Sequence, residues 1–253
     1  MAPVHPWHPT AGDEPAVRTL DRREGPYGEV VLRQRGPAAA DPNALAAPGR
    51  CGPVYEIIAN GCFLMDTSDG RSERLLVDAA LAALPPDRED PSVLIGGLGV
   101  GFSLARAADE PRWGRITVVE RETAVIDWHR TGPLAAVSGP ALADPRTEIL
   151  HTDLVAHLCA EVGQLAYDAL CLDIDNGPDW TVTEDNDGLY SPAGLAACRD
   201  RLTSGGVLAV WSAQPSPAFE QALRNAGFAG VRTEEMSVAR GVPDVVHLAL
   251  RSA

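Results

Sequence analysis

The sequence predicts an α/β protein in which seven strands form a mostly parallel sheet with helices on both faces, preceded by a small N-terminal β-hairpin subdomain. Three observations predict it. From Ser92 onward, short apolar runs alternate with amphipathic helical segments, the pattern of a buried parallel sheet. The last two runs, 231–238 and 245–252, follow one another without a helix, as an antiparallel closing pair does. Ahead of these, Asn60-Gly61 divides two strand-like runs with the dipeptide best suited to a two-residue type I′ turn.

Taken in order, residues 1 to about 22 are rich in Pro, Gly and charge without a period and read as a loose arm. His5, Trp7 and His8 lie in it, where a tail is the simpler reading than a ligand site. Gly28 to Arg35 is strand-like, 36–50 has loop composition, and 54–59 with 62–66 form the hairpin. Apolar residues at helical spacing then run from Ser72 to Leu84, and Pro85-Pro86 ends them. Residues 1–85 are therefore expected to be an arm, a β-rich cap and a joining helix, and 86–253 the main domain.

In that domain the strands are expected at 93–97, 116–120, 148–152, 167–174, 205–212, 231–238 and 245–252. Helices are expected at 102–110, 123–130, 154–162, 191–202 and 217–227.

A chain of 253 residues suffices for one sizeable core plus a small subdomain. No stretch approaches the roughly 20 apolar residues that span a bilayer, and the N-terminus lacks a basic patch followed by an apolar segment, so a soluble, cytoplasmic protein without a membrane partner is expected. The five cysteines, Cys51, Cys62, Cys159, Cys171 and Cys198, are scattered without a C-x-x-C pair. They read as small buried apolar residues, not as a disulfide framework or a metal site. A net charge of -14 repels a phosphate backbone, which argues against nucleic acid as a partner and leaves a neutral or cationic small molecule.

The chemistry is expected where strands end. Ile95 to Gly101 reads I-G-G-L-G-V-G between a strand and a helix, the context in which such glycines hold a nucleotide-like ligand. Gly96, Gly97, Gly99 and Gly101 are the binding candidates, since glycine lets the chain turn sharply and approach a ligand without a Cβ. Glu120 ends the next strand, where a carboxylate accepts ribose hydroxyls in dinucleotide folds too. Asp153 follows the third strand and reads both as an adenine contact and as a helix N-cap. Asp173 and Asp175 end the fourth strand and, by strand alternation, point to the same side, where carboxylates orient and deprotonate an amine or hydroxyl. Trp128 and His129 either border the adenine or pack their helix on the sheet. Trp180 and Trp211 read as core or as an acceptor wall, and Asn186-Asp187 as part of a loop over the site.

Gly96 to Gly101, Glu120, Asp153, YDALCLDIDNGP at 167–178, Leu189-Tyr190-Ser191 and Ser204 to Ser212, in that order, resemble the spermidine synthase-like branch of the class I methyltransferase-fold proteins. The similarity runs from about Ser92 to Ala253, and the hairpin resembles that branch's N-terminal β subdomain. Ile95 stands where ordinary class I methyltransferases carry an acid, which favours this branch. The resemblance implies a Rossmann-like seven-stranded class I methyltransferase fold with S-adenosylmethionine, or its decarboxylated form, at the glycine loop. It implies Asp173 as the catalytic aspartate and Tyr190 as the tyrosine of the family's L-Y/F segment.

Three departures bear on the reaction. Ser72-Glu73-Arg74 replaces the family's Y-H-E triplet, D-I-D-N-G replaces D-S-S-D-P, and Trp211 replaces a glutamine. Methyl transfer from S-adenosylmethionine to a small amine-bearing or secondary-metabolite acceptor is therefore the leading expectation. Aminopropyl transfer from decarboxylated S-adenosylmethionine comes second, ahead of a non-catalytic cofactor-binding scaffold and an NAD-dependent dehydrogenase. The sequence leaves the oligomeric state open, a homodimer paired across the N-terminal hairpin being one arrangement it allows.

Overall fold

A computed structural model describes residues 17–36, 52–160, 166–174, 176–179, 186–238 and 241–252. Four strands, β1 (Val17–Gly25), β2 (Gly28–Arg35), β3 (Val54–Ala59) and β4 (Cys62–Asp66), form an antiparallel sheet in the order β1-β2-β3-β4. The expected hairpin is β3–β4. Asn60 and Gly61 take φ of 51° and 79°, the double positive φ of a type I′ turn. The Asn60 side chain accepts the Glu29 amide at 3.0 Å and donates to the Tyr27 carbonyl at 3.2 Å, so the turn is stitched to the β1–β2 turn.

The arm expected up to residue 22 is corrected from Val17 onward, where the chain is already an edge strand. Charged residues at Arg18, Arg22 and Glu24 hide a strand from a hydrophobic reading, and they suit an edge that has to stay unpaired. Asp21 ties this edge to the main domain by accepting the Trp128 indole N–H at 2.8 Å. The arm before Val17, with His5, Trp7 and His8, the segment 37–50 of the expected loop, and Cys51 lie outside the described residues.

The second sheet holds β5 (Ser92–Gly96), β6 (Arg115–Glu120), β7 (Thr147–His151), β8 (Tyr167–Leu172), β9 (Leu202–Ser212), β10 (Phe228–Met236) and β11 (Asp244–Arg251). Its order is β10-β11-β9-β8-β5-β6-β7. β9, β8, β5, β6 and β7 run parallel, and β11 and β10 close the sheet antiparallel. This is the seven-stranded α/β fold expected. Alternating residues of β5 enter different cores: Val93 and Ile95 face α1 (Arg71–Ala83), α2 (Phe102–Asp109), α3 (Thr123–Arg130) and α4 (Ala135–Leu142). Leu94 faces α5 (Leu154–Cys159), α7 (Pro192–Arg201) and α8 (Pro217–Asn225). A strand buried on both faces has no reason to alternate with polar residues, which is why these runs read as continuous.

The short α6 (Asp187–Tyr190) precedes α7. α4 was not expected from the sequence, because Ala, Ser and Gly with Pro140 inside give no apolar stripe. α1, grouped in the sequence with the N-terminal unit, packs on β8, β9 and β11.

The free cysteines divide. Cys171 and Cys198 are buried, whereas Cys62 on the edge strand β4 and Cys159 at the end of α5 are exposed, against the expectation of burial. No helix among the described residues is long and apolar enough to cross a membrane.

Candidate active site

The carboxyl ends of β5, β6, β7 and β8 meet the N-terminal sheet around one pocket, where the strand order reverses beside β5, as open α/β sheets place their ligand sites. The glycine loop forms one wall. Gly97 and Gly99 line the pocket. Gly96 and Gly101 lie behind the loop: a Cβ on Gly96 would sit 2.7 Å from Leu154, and one on Gly101 2.8 Å from the His129 ring.

Closeness to protein therefore demands these glycines. At Gly97, φ is +89° and a Cβ would lie 2.9 Å from the Asp173 carbonyl oxygen, so any side chain would separate the loop from β8.

Glu120 stands at the centre. It is 8% exposed, and its two carboxylate oxygens accept the Leu98 amide at 2.9 Å and the Glu122 amide at 2.7 Å. Burial pushes its pKa up, and these two bonds oppose that push. Each carboxylate oxygen has a second lone pair, so the group can brace the loop and still accept a pair of vicinal hydroxyls.

Asp153 also lines the pocket, and it caps α5 by accepting the Ala156 amide at 2.8 Å, so the cap reading holds at a pocket residue. Beside it, the Arg121 guanidinium lies 4.3 Å from the centre of the Tyr27 ring, and Tyr27 belongs to the pocket wall.

Asp173 follows β8 and faces the pocket on the α1 side of the sheet, the side of Cys171. Its pKa is pushed up to about 8, first by burial and then by the negative charges of Glu73 and Asp244. Glu73 on α1 and Asp244 at the start of β11 are themselves shifted upward, mainly by burial. Ser72 donates to Glu73 at 3.1 Å. The departure at Ser72-Glu73-Arg74 thus brings a carboxylate to Asp173.

Other expected residues fall elsewhere. Tyr190 does not line the pocket; its hydroxyl donates to the Ile174 carbonyl at 3.5 Å and its ring meets Phe219 edge-on. Asp175 and Trp180 lie outside the described residues. Trp128 and His129 are buried on α3, each at most 3% exposed, and neither lines the pocket. Trp211 packs against the α1-side core, with its buried indole N–H lacking an acceptor among the described residues. Asn186 does line the pocket.

Sequence reasoning missed the roof: Tyr27, Val30, Ile57, Asn60 and Met65 all come from the N-terminal sheet. Asn60 was legible only as a turn residue. The Met65 sulfur accepts the Val100 amide at 3.1 Å, a contact for which the sequence carries no signal.

No protein-family model and no curated protein matches the chain. Solved structures do. A spermidine synthase in complex with the transition-state analogue AdoDATO superposes with a TM-score of 0.71 at 17% identity, covering 93% of this chain and 74% of that one. Spermidine synthase from Thermotoga maritima superposes with a TM-score of 0.66 at 15% identity, covering 93% and 73%. The chain has the spermidine synthase fold. The likeness spans both sheets, so the N-terminal four-stranded sheet and the seven-stranded sheet of this fold occur together here.

Proposed function

We propose that the chain is an S-adenosylmethionine-dependent transferase that moves a methyl group to a small amine-bearing acceptor. The observation that carries the reading is the grouping of Gly97, Gly99, Glu120, Asp153 and Asp173 around one pocket at the carboxyl edge of the sheet. The donor set suits the cofactor: Glu120 for the ribose hydroxyls, Asp153 with Thr152 for the adenine edge, and the glycine loop for the remainder. When bound, S-adenosylmethionine supplies a methyl on an already activated sulfonium, so no acid is needed at the leaving thioether.

In this reading the protein's own work is positioning and proton transfer. Asp173, its pKa raised by burial and by Glu73 and Asp244, releases its proton as positive charge enters the pocket. The carboxylate then orients the acceptor amine and takes the proton that the amine loses as its nitrogen gains the methyl. Glu73 and Asp244 supply further negative charge for a cationic acceptor.

That same acidic grouping favours a second reading, aminopropyl transfer from decarboxylated S-adenosylmethionine to a polyamine. The solved relatives are spermidine synthases, and the extra charge of Glu73 and Asp244 suits a polycation. Incubation with methyl-labelled S-adenosylmethionine and a panel of small amines tests the proposal. Label in the amine supports methyl transfer. Transfer from decarboxylated S-adenosylmethionine alone would replace it with the second reading, and no transfer from either donor would leave the scaffold reading in its place.

A further inference from the structure

His129 is nearly fully buried at 1% exposed, and both ring nitrogens are engaged. Nε2 lies 2.8 Å from the Gly99 carbonyl oxygen and Nδ1 2.6 Å from the Ser138 hydroxyl. A carbonyl only accepts, so Nε2 carries the proton. Burial holds the ring pKa down at about 4 against the Gly99 and Leu134 carbonyls, which favour the charged form. The imidazole is therefore neutral, and Nδ1 accepts the Ser138 O–H. One side chain of α3 thus connects the glycine loop to α4.

The amides of the same loop are almost all engaged. Gly97 donates to the Val119 carbonyl, Leu98 to Glu120, Val100 to Met65 and Gly101 to the Leu98 carbonyl. The Gly99 amide is the remaining one, without an acceptor among the described residues, and Gly99 borders the pocket. Gly99 has φ of +50°, and a glycine left to itself visits several basins at little cost. Its carbonyl is the handle by which the protein holds it in one.

We propose that His129 is a positioning residue for cofactor binding: by donating to the Gly99 carbonyl, and by being held in its rotamer by Ser138, it fixes Gly99 so that its amide is presented to the bound adenosyl cofactor. The inference rests on the reading of this pocket as the cofactor site. Its energetic logic is preorganisation, in which the loop is ordered before the ligand arrives.

Calorimetric titration of the full chain with S-adenosylhomocysteine and S-adenosylmethionine tests it in three variants. His129→Gln can reach the Gly99 carbonyl with its amide N–H and is expected to bind within about twofold of the parent. His129→Asn is too short to reach and is expected to bind about tenfold more weakly, the scale of one hydrogen bond. Ser138→Ala, a small deletion that the fold tolerates more readily, is expected to lose about two- to threefold. Amide hydrogen exchange at residues 97–101 in the free proteins should quicken in the Asn variant and return toward the parent rate in the Gln variant.

Equal affinity of the Asn and Gln variants, or parent-like affinity of all three, would overturn the proposal. If the Asn variant fails to fold, parent-like affinity and exchange in Ser138→Ala would overturn it, and graded weakening there would support it. A parent that binds neither adenosyl compound refutes the pocket reading itself and takes the positioning role with it, an outcome distinct from a parent that binds and variants that bind alike.

Discussion

In the proposed reading Glu120 carries two duties at once, bracing the glycine loop and accepting the ribose hydroxyls, and substitution separates them. Glu120→Ala removes the acceptor for the Leu98 and Glu122 amides, so it is expected to lower folding stability by about 1–3 kcal/mol through the orphaned donors. It is also expected to weaken adenosyl-cofactor binding by roughly 1–3 kcal/mol through loss of the ribose acceptor. Urea unfolding reads the first effect and calorimetry the second; undiminished binding by a folded Glu120→Ala would refute the ribose assignment. Asp173 gives a different signature. Asp173→Asn keeps size and most hydrogen bonding and is expected to reduce turnover about 10²- to 10⁴-fold while leaving cofactor affinity nearly intact, as loss of a general base does. Its raised pKa also has a sign. The folded state holds the proton more tightly than the unfolded chain, so the contribution of this group to stability is greatest below the ordinary value of 3.8 and is lost as pH rises through about 8. Melting temperature without ligand should therefore fall across that window in the parent and fall less in Asp173→Asn. Equal slopes would remove Asp173 from the account.

At the level of elements, the amino end of the sheet is pinned by Asp168. Its carboxylate accepts the Ser92 amide at 2.8 Å and hydroxyl at 3.0 Å on one oxygen, and Arg88 and Thr203 at 2.8 Å on the other, joining β5, β8 and β9. Burial raises its pKa, but these donors outweigh burial and hold it below the ordinary value. Asp168→Ala is expected to destabilise by about 3 kcal/mol, read as a lower urea midpoint at unchanged slope, because a partly buried arginine and a backbone amide lose their acceptor. The Asp168 contribution is present above pH 3.8 and is lost as pH falls through the lower folded value. The elements also show what a sequence conveys. The β3–β4 turn was legible because Asn60-Gly61 states its own backbone geometry, and β5, β6 and β8 because strands buried on both faces are nearly unbroken apolar runs. β1 and α4 were not legible: an edge strand rich in charge and a helix of small residues around Pro140 have no apolar face to read, and the ties of β1 to the main domain, Asp21 to Trp128 and Arg23 to Asp127, reach far along the chain.

For the molecule as a whole, the same distinction explains the site. Glu120, Asp153 and Asp173 stand at strand ends, where α/β topology gathers ligand contacts, so position along the chain was enough to nominate them. The roof was not legible, because Tyr27, Asn60 and Met65 become pocket residues only once one sheet is laid over the other. Nor was the approach of Glu73 and Asp244 to Asp173, which needs α1 and β11 brought to the same edge. The central claim is that this shared pocket holds an adenosyl sulfonium cofactor. Calorimetric titration of the full chain with S-adenosylmethionine, S-adenosylhomocysteine, decarboxylated S-adenosylmethionine and NAD tests it most directly: the account predicts saturable binding of S-adenosylmethionine and S-adenosylhomocysteine that weakens in Glu120→Ala, and binding of NAD alone, or of none of the four, would contradict it.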